Sequence, residues 1–269
     1  MKMNIMLAAP TGRAAKRMSE LTGHPAKTIH RLLEYSMHKH GFQRNEKNPL
    51  DCDLLIIDEA SMIDTVLMYH LLKALPATAT CIFVGDVNQL PSVGPGNVLN
   101  DMIASGSVAV VELNEIFRQP KASRINVNAQ KIIRGQLPSF DPSELFDPYN
   151  DFYFIEQEDP ERVLNTILEL VTNRIPRRFG FEAVNDIQVL TPMHKGLVGA
   201  ENLNAELQNV LNPVNEIISR GNLNFKRNDK VMQVKNNYAK LVFNGDIGSI
   251  RSINPEDKTV LIAFDHRNI

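Results

Sequence analysis

The chain has 269 residues, 43% of them hydrophobic, with 29 Lys and Arg against 31 Asp and Glu and a net charge of −2. That is enough for one large or two modest packed domains, and the near-zero charge excludes a uniformly cationic nucleic-acid binder, so such a partner must meet local basic patches. The two cysteines, Cys52 and Cys81, have no metal-ligand spacing, which excludes a disulfide framework and fits a reduced cytoplasmic compartment, and no apolar run approaches the ~18 residues of a membrane span.

Asn4 to Ala9 is an apolar run closed by Pro10-Thr11-Gly12, which predicts a strand, a tight turn and a helix. It is too short and wrongly flanked for a signal peptide, so a core strand begins almost at residue 1. Arg13 to Thr22 supplies the helix, with Ala14, Ala15, Met18 and Leu21 at helical spacing and Gly23 as its cap. Arg13, Lys16 and Arg17 oppose the dipole near its start, so either an anion sits nearby or they are ordinary solvated charges. Ala26 to Glu34 reads as a further helix carrying His30 and Arg31. Tyr35 to Leu50 is polar and basic around Gly41-Phe42. It predicts an exposed β-hairpin or loop, either a nucleic-acid contact or a solvated insertion.

Asp53-Leu54-Leu55-Ile56-Ile57-Asp58-Glu59-Ala60-Ser61 organises the chain. Its apolar run reads as a strand buried on both faces of a parallel sheet. Asp58 and Glu59 then fall at the carboxyl edge, where open α/β sheets place their ligands. One acid there can hold magnesium while its neighbour polarises water. The competing reading is the acidic first turn of a helix. Thr65 to Leu75 is a helix, and Thr80 to Val84 another buried strand leading into Gly85-Asp86-Val87-Asn88-Gln89-Leu90-Pro91-Ser92-Val93-Gly94-Pro95-Gly96, a shaped loop facing the same crevice. Asn97 to Ser105 is a helix and Val108 to Leu113 a third strand. Arg118 beyond it can reach a phosphate bidentately or pair with a surface acid.

Ser123 to Ile133 is an amphipathic helix, and Leu137 to Asp151 a loose connection. Phe152 to Glu156 predicts a strand, Pro160 to Asn173 a helix, Ile187 to Leu190 a buried strand and Glu201 to Leu211 a helix. The αβα logic repeats, implying a second α/β domain from about residue 119. From Asn215, short runs at 230–235, 240–243, 248–253 and 259–264 predict a small antiparallel barrel. Lys226, Arg227, Lys230, Lys235 and Lys240 around Tyr238 make it locally basic.

These motifs carry a family resemblance. Ala9-Pro10-Thr11-Gly12-Arg13-Ala14-Ala15-Lys16-Arg17, the run Thr28 to Leu33, Asp58-Glu59-Ala60-Ser61, Gly85 to Gly96 and Phe117-Arg118-Gln119 resemble motifs of RecD-like DNA helicases, superfamily 1B. Leu190-Thr191-Pro192-Met193-His194-Lys195-Gly196 resembles the family's second motor domain, and Asn236-Asn237-Tyr238 with Phe243-Asn244-Gly245-Asp246 its SH3-like insertion. The family, which includes the alpha subunit of exodeoxyribonuclease V, are ATP-driven 5′-to-3′ DNA helicases.

The resemblance implies an α/β fold with two RecA-like parallel-sheet motor domains, both incomplete, and a small SH3-like β-barrel. Their expected bounds are 1–118, with a β-hairpin insertion at about 35–50, then 119–216 and 217–269. It implies ATP and Mg2+, with Asp58 holding the metal, Glu59 activating water, Gln89 sensing the γ-phosphate and Arg118 contacting it. Pro10, Thr11, Arg13, His30 and Asn88 would contact single-stranded DNA in the first domain, with the hairpin parting the duplex. His194, Lys195, Asn237 and Tyr238 would do so in the rest. Single strands, duplex junctions and other helicase-nuclease subunits are the expected partners, with no membrane.

No G-x-x-x-x-G-K-[ST] phosphate loop occurs in the chain; in the family it would precede residue 1, and the last motifs would follow residue 269. The expectation is a central piece of a longer helicase, inactive alone. A non-catalytic nucleic-acid-binding accessory protein and the motor part of a conjugative relaxase are the alternatives.

Overall fold

A computed structural model describes residues 3–36, 41–113, 123–140, 150–221, 223–237, 239–240, 242–264 and 267–269. The chain divides into two compact units, Met1–Phe152 and Tyr153–Ile269.

In the first unit, β1 (Ile5–Ala9) ends at Pro10, and Thr11 caps α1 (Gly12–Thr22), its hydroxyl accepting from Ala14 N at 3.2 Å. Gly23, at φ 70°, closes the helix. The next stretch is not the single helix its spacing predicts. Ala26–Thr28 is an edge strand, β2, paired in parallel with Leu7 to Ala9. Thr28 stays extended and caps the four-residue α2 (Ile29–Leu32) through Arg31 N at 3.2 Å, so a β-region cap interrupts what periodicity alone runs through. β3 (Tyr35–Ser36) and β4 (Gly41–Phe42) form the expected antiparallel hairpin. Phe42 packs against the core at its base, while His38, Lys39 and His40 lie outside the described residues.

β5 (Leu54–Ile57) is central: Leu54 lies opposite Ile5 on one side and Thr80 on the other, both pairings parallel. Leu55 and Ile57 are fully buried, while Leu54 and Ile56 on the other face are half-buried. A single 3-10 turn, Ala60–Met62, leads to α3 (Thr65–Ala74), which brings Leu67, Met68, Leu71 and Ala74 to the core. β6 (Thr80–Phe83) completes the sheet in the order β2-β1-β5-β6. It is an edge strand with Ile82 44% exposed, not the buried strand expected, because no strand among the described residues pairs with its outer side. α4 (Val98–Ala104) adds Leu99 to the core. At α5 (Arg124–Ile133), the Asp151 carboxylate accepts from Ser123 Oγ at 2.6 Å and Arg124 N at 2.8 Å.

Three expected strands do not form among the described residues. Val108 to Leu113, Phe152 to Glu156 and Ile187 to Leu190 run without ladder partners, and Val111, Leu113 and Leu190 are 87%, 92% and 87% exposed. β-branched composition supplies strand propensity, but without ladder partners it builds no sheet. The parallel sheet among the described residues therefore belongs to the first unit.

The second unit opens with α6 (Pro160–Glu169), capped by Asp159, which runs through a π-helical stretch, Leu170–Arg174, into α7 (Ile175–Phe179). α8 (Ala200–Leu211) follows. A hairpin that the sequence reading misses comes next, β7 (Ile217–Arg220) with β8 (Leu223–Lys226). The antiparallel sheet is β9 (Lys230–Met232), β10 (Ile247–Asn254), β11 (Thr259–Phe264) and β12 (Arg267–Asn268), in the order β12-β11-β10-β9. Ile250, Ile253, Phe264 and Val242 are buried within this unit. Among the described residues, the expected strand at 240–243 shows one bridge, between Asn237 and Val242. Among the described residues no helix is long and apolar enough to cross a membrane.

Loop 85–96 is fastened to the start of α3. Thr65 N donates to Pro95 O at 2.9 Å, and Ser92 Oγ donates to Gly94 O at 3.0 Å. A Cβ on Gly94 would collide with the Asp64 carboxylate, which caps α3 by accepting from Leu67 N at 2.7 Å. Gly94→Ala is therefore expected to cost about 1–3 kcal/mol through overpacking and a disturbed cap, read as a lower denaturant midpoint; an unchanged midpoint would show that the loop yields freely.

Cys81, half-buried on β6, has its thiol pushed up to about 11 by burial, with Cys52 adding to it. Its alkylation at pH 8 should run roughly 100-fold slower than that of an exposed cysteine, because the thiolate is the nucleophile. Peptide mass spectrometry after timed iodoacetamide treatment checks this, and rapid labelling of the folded chain would contradict it.

Candidate functional site

The parallel strands β1, β5 and β6 all finish at one edge of the first unit's sheet, so their following loops share that edge. From β5 come Asp58 and Glu59, both half-buried. Asp58 N donates to Ala8 O at 3.0 Å, prolonging the ladder by one residue, and Asp58 Oδ1 accepts from Glu59 N at 2.9 Å. Glu59 turns into the left-handed region at φ 54°, which costs a non-glycine residue roughly 1–3 kcal/mol and persists only where neighbours enforce it. They do so here: Ala60 N donates to Val84 O at 2.9 Å and Met62 N to Glu59 O at 3.1 Å.

The acids are therefore not the first turn of α3. That helix begins six residues after Glu59, at Thr65, and Asp64 caps it. Ser61 Oγ, two residues after Glu59, is buried and has no hydrogen-bond partner among the described residues. The sequence reading quotes Ser61 within its motif but gives it no role; its only signal is a hydroxyl following two acids.

The loop after β6 begins against this turn. A Cβ on Gly85 would lie 3.1 Å from both Ala60 N and Ser61 N, so only glycine allows the approach without a shift. Asp86 Oδ1 accepts from Asn88 N at 2.9 Å and Asp86 O accepts from Gln89 N at 3.2 Å, forming a tight turn that leaves Asn88 and Gln89 exposed. Asp58, Glu59, Asn88 and Gln89 thus rise from adjacent strand ends. Arg118 lies outside the described residues.

After β1, Pro10 and Thr11 are half-buried and Arg13 is exposed at the start of α1. Lys16 and Arg17 reach Glu20 one helical turn on, at 4.0 and 3.7 Å. His30 joins a ring cluster at the hairpin base, its ring centre 5.6 Å from Phe42 and 6.0 Å from Tyr35, and Phe42 is 4.6 Å from His70. Partial desolvation within this cluster lowers the His30 pKa and so favours the neutral ring, although the residue keeps an exposed edge and Asp64 pulls the other way.

In the second unit, His194 and Lys195 are exposed on the loop before α8. That loop folds onto the helix: Ala200 N donates to Met193 O at 2.9 Å, Glu201 N to His194 O at 3.1 Å and Thr191 Oγ1 to Val198 O at 2.8 Å. Asn237 is half-buried and bridges to Val242, its N donating to Val242 O at 2.7 Å; Tyr238 lies outside the described residues. Sequence reasoning reads Asn212 only as the end of a helix and gives no role to Asp229; the two are buried and mutually hydrogen-bonded. Isolated polar residues in a turn carry no periodic signal.

Comparison with known proteins agrees with this layout. Residues 1–95 match a family described as an AAA domain, and residues 203–264 match the SH3 domain of ATP-dependent RecD-like DNA helicases. The ATP-dependent RecD2 DNA helicase of Deinococcus radiodurans is 33% identical over 263 residues, covering 98% of this chain and 34% of its own length. The RecBCD enzyme subunit RecD of Haemophilus influenzae is 25% identical, covering 92% of this chain and 50% of its own. The chain thus spans between a third and a half of these curated relatives. A solved structure of two coordinating Pif1 helicases at forked double-stranded DNA superposes with a TM-score of 0.53 at 20% identity, over all of this chain and 66% of the other, a likeness of fold. By sequence the chain is thus similar to RecD-like helicases over nearly its whole length, with an AAA-domain match in its first part and a RecD-like SH3 match in its last.

Proposed function

We propose that the chain is the central part of an ATP-dependent DNA helicase that moves 5′ to 3′ along single-stranded DNA in recombination and repair, in the cytoplasm and alongside other helicase-nuclease subunits. One observation carries the reading: two half-buried carboxylates held at the carboxyl edge of a parallel sheet, beside a glycine-built loop that presents Gln89. We divide the chain into motor domains at 1–118 and 119–216 and a barrel at 217–269.

The residues fit a magnesium–nucleotide pair. Asp58 spends Oδ1 on Glu59 N, and among the described residues no group of three or more His, Cys, Asp or Glu converges. A cation on Asp58 would therefore complete its shell from water and phosphate, as magnesium does, supplying charge neutralisation for the phosphates. Glu59, fixed by its backbone turn, takes the proton of the attacking water. Gln89 at the neighbouring strand end orients that water or senses the terminal phosphate, and Arg118 contacts the phosphate. The outer edge of β6 is open to one more strand, and in the longer protein that is where we place the phosphate loop.

Movement needs a grip on DNA. Pro10, Thr11, Arg13, His30 and Asn88 supply it on the first domain, His194, Lys195, Asn237 and Tyr238 on the rest, and the hairpin meets the duplex junction. Such contacts go chiefly to phosphates and stacked bases, independent of sequence and weakened by salt.

Glu59→Gln in the full-length protein should preserve ATP binding and reduce DNA-stimulated hydrolysis by roughly 10²–10⁴-fold, the usual contribution of one positioned base. Steady-state ATPase assays with a fluorescent-nucleotide binding control decide it, and near-normal turnover would remove Glu59 from the mechanism.

A further inference from the structure

α8 joins two parts of the second unit to which DNA contacts are assigned above. Its N-terminal turn carries the His194–Lys195 loop, fastened by Ala200 N to Met193 O and Glu201 N to His194 O. Its C-terminal end meets the barrel at Asp229, a buried carboxylate at the start of β9. Asp229 Oδ1 accepts from Asn212 Nδ2 at 2.7 Å, and Oδ2 accepts from Gln208 Nε2 at 2.6 Å and Lys226 N at 2.7 Å. Around it, Asn212 Nδ2 donates to Arg227 O at 2.7 Å, Gln208 Nε2 to Asn224 O at 2.8 Å and Lys226 Nζ to Asn212 O at 3.2 Å. The carboxylate's donors thus come from the helix on one side and from strand β8 on the other.

The next residue adds a second tie, Lys230 Nζ donating to Ile187 O at 2.9 Å, in the segment that leads into the His194 loop. The RecD-like SH3 match begins at residue 203, inside α8, so helix and barrel are also matched as one module.

We propose that Asp229 is a positioning residue: with Gln208 and Asn212 it clamps the SH3-like barrel to α8, so that the barrel and the His194–Lys195 loop move as one rigid body. A buried charge bonded by neutral donors from two elements resists separation, because parting them strands the carboxylate without partners. The twelve residues of α8 make a strut about 18 Å long. DNA contacts at its two ends keep a fixed spacing and act as a linked pair, each raising the effective concentration of the other. The DNA consequence rests on the single-strand-binding function proposed above; the mechanical one does not.

The test uses Gln208→Ala/Asn212→Ala, which detaches the helix while leaving the Asp229 bond to Lys226 N inside the barrel. Asp229→Ala is the companion variant. Spin labels on unnatural amino acids at Ala205 and Glu256, both exposed, avoid the native cysteines. Wild type should give one narrow distance distribution and the double variant one at least about twofold wider, with circular dichroism unchanged. An equally narrow distribution in the folded double variant would overturn the clamp. In parallel, anisotropy with oligo-dT of about 4 and about 16 nucleotides reads the linkage: the variant should lose roughly tenfold in affinity for the longer strand and nothing for the shorter. Broadening without that selective loss would overturn the positioning role. Failure of wild type to bind either strand would count against the proposed function, while the distance measurement still decides the clamp.

Discussion

Two backbone hydrogen bonds hold the first unit's working edge together. Val84 N donates to Ile57 O at 2.8 Å, and Ala60 N donates back to Val84 O at 2.9 Å. They continue the β5–β6 ladder past the strands and around the turn that carries the acids. Without them Glu59 has no reason to remain left-handed, because that conformation is locally unfavourable and must be imposed. With them the two carboxylates are set by the sheet, whose centre is fully buried at Leu55 and Ile57. Placement of the acids is thus inherited from core packing, which is more rigid than any loop.

The same tie explains the glycine at position 85. Closing the ladder around Val84 brings the next residue against Ala60 N and Ser61 N, where a Cβ at 3.1 Å would require a shift. Gly94 and Gly96 do the equivalent at the far end of the loop, against Asp64 and Thr65. The loop is thus pinned at both ends to the acid turn and the start of α3, while Asn88 and Gln89 between them face solvent. Fixed ends with an exposed middle suit a segment that must present side chains to a ligand without wandering.

The legible parts of the sequence were those in which one local signal met no competitor. β1, β5, α1, α3, α5 and α8 each show an apolar pattern bounded by turn or breaker residues, such as Pro10 after β1 and Gly23 after α1, and they lie where the pattern places them. The errors have a common cause. Apolar runs at Val108, Phe152 and Ile187 announce burial, but a strand is a relation between segments, and composition does not say whether a partner lies alongside. At Thr28 the pattern continued while a capping side chain broke the helix. In the site, the acid pair and the Gly-Pro loop were legible because acids after an apolar run and clustered glycines are locally costly. Whether the acids open the following helix was not, since that turns on a backbone angle at Glu59 and on Asp64 taking the cap.

Three buried polar groups were given no role from the sequence, and they separate by whether they are satisfied. Asn128 exchanges hydrogen bonds with Ser139, at 2.9 Å to its Oδ1 and 3.2 Å from its Nδ2, and Asp229 accepts three bonds at 2.6–2.7 Å. Both are structural by that criterion: a buried polar group with all its partners rigidifies whatever it joins. Ser61 Oγ differs, being buried without a partner among the described residues, an arrangement that in a dry interior costs about 1–3 kcal/mol. It sits two residues after Glu59, itself in a strained conformation. Two departures from local stability within three residues, on a turn otherwise closed by good hydrogen bonds, are not what a merely structural turn would keep. Costs of this kind are often kept where a site needs the geometry, which is in keeping with the role proposed above for Asp58 and Glu59.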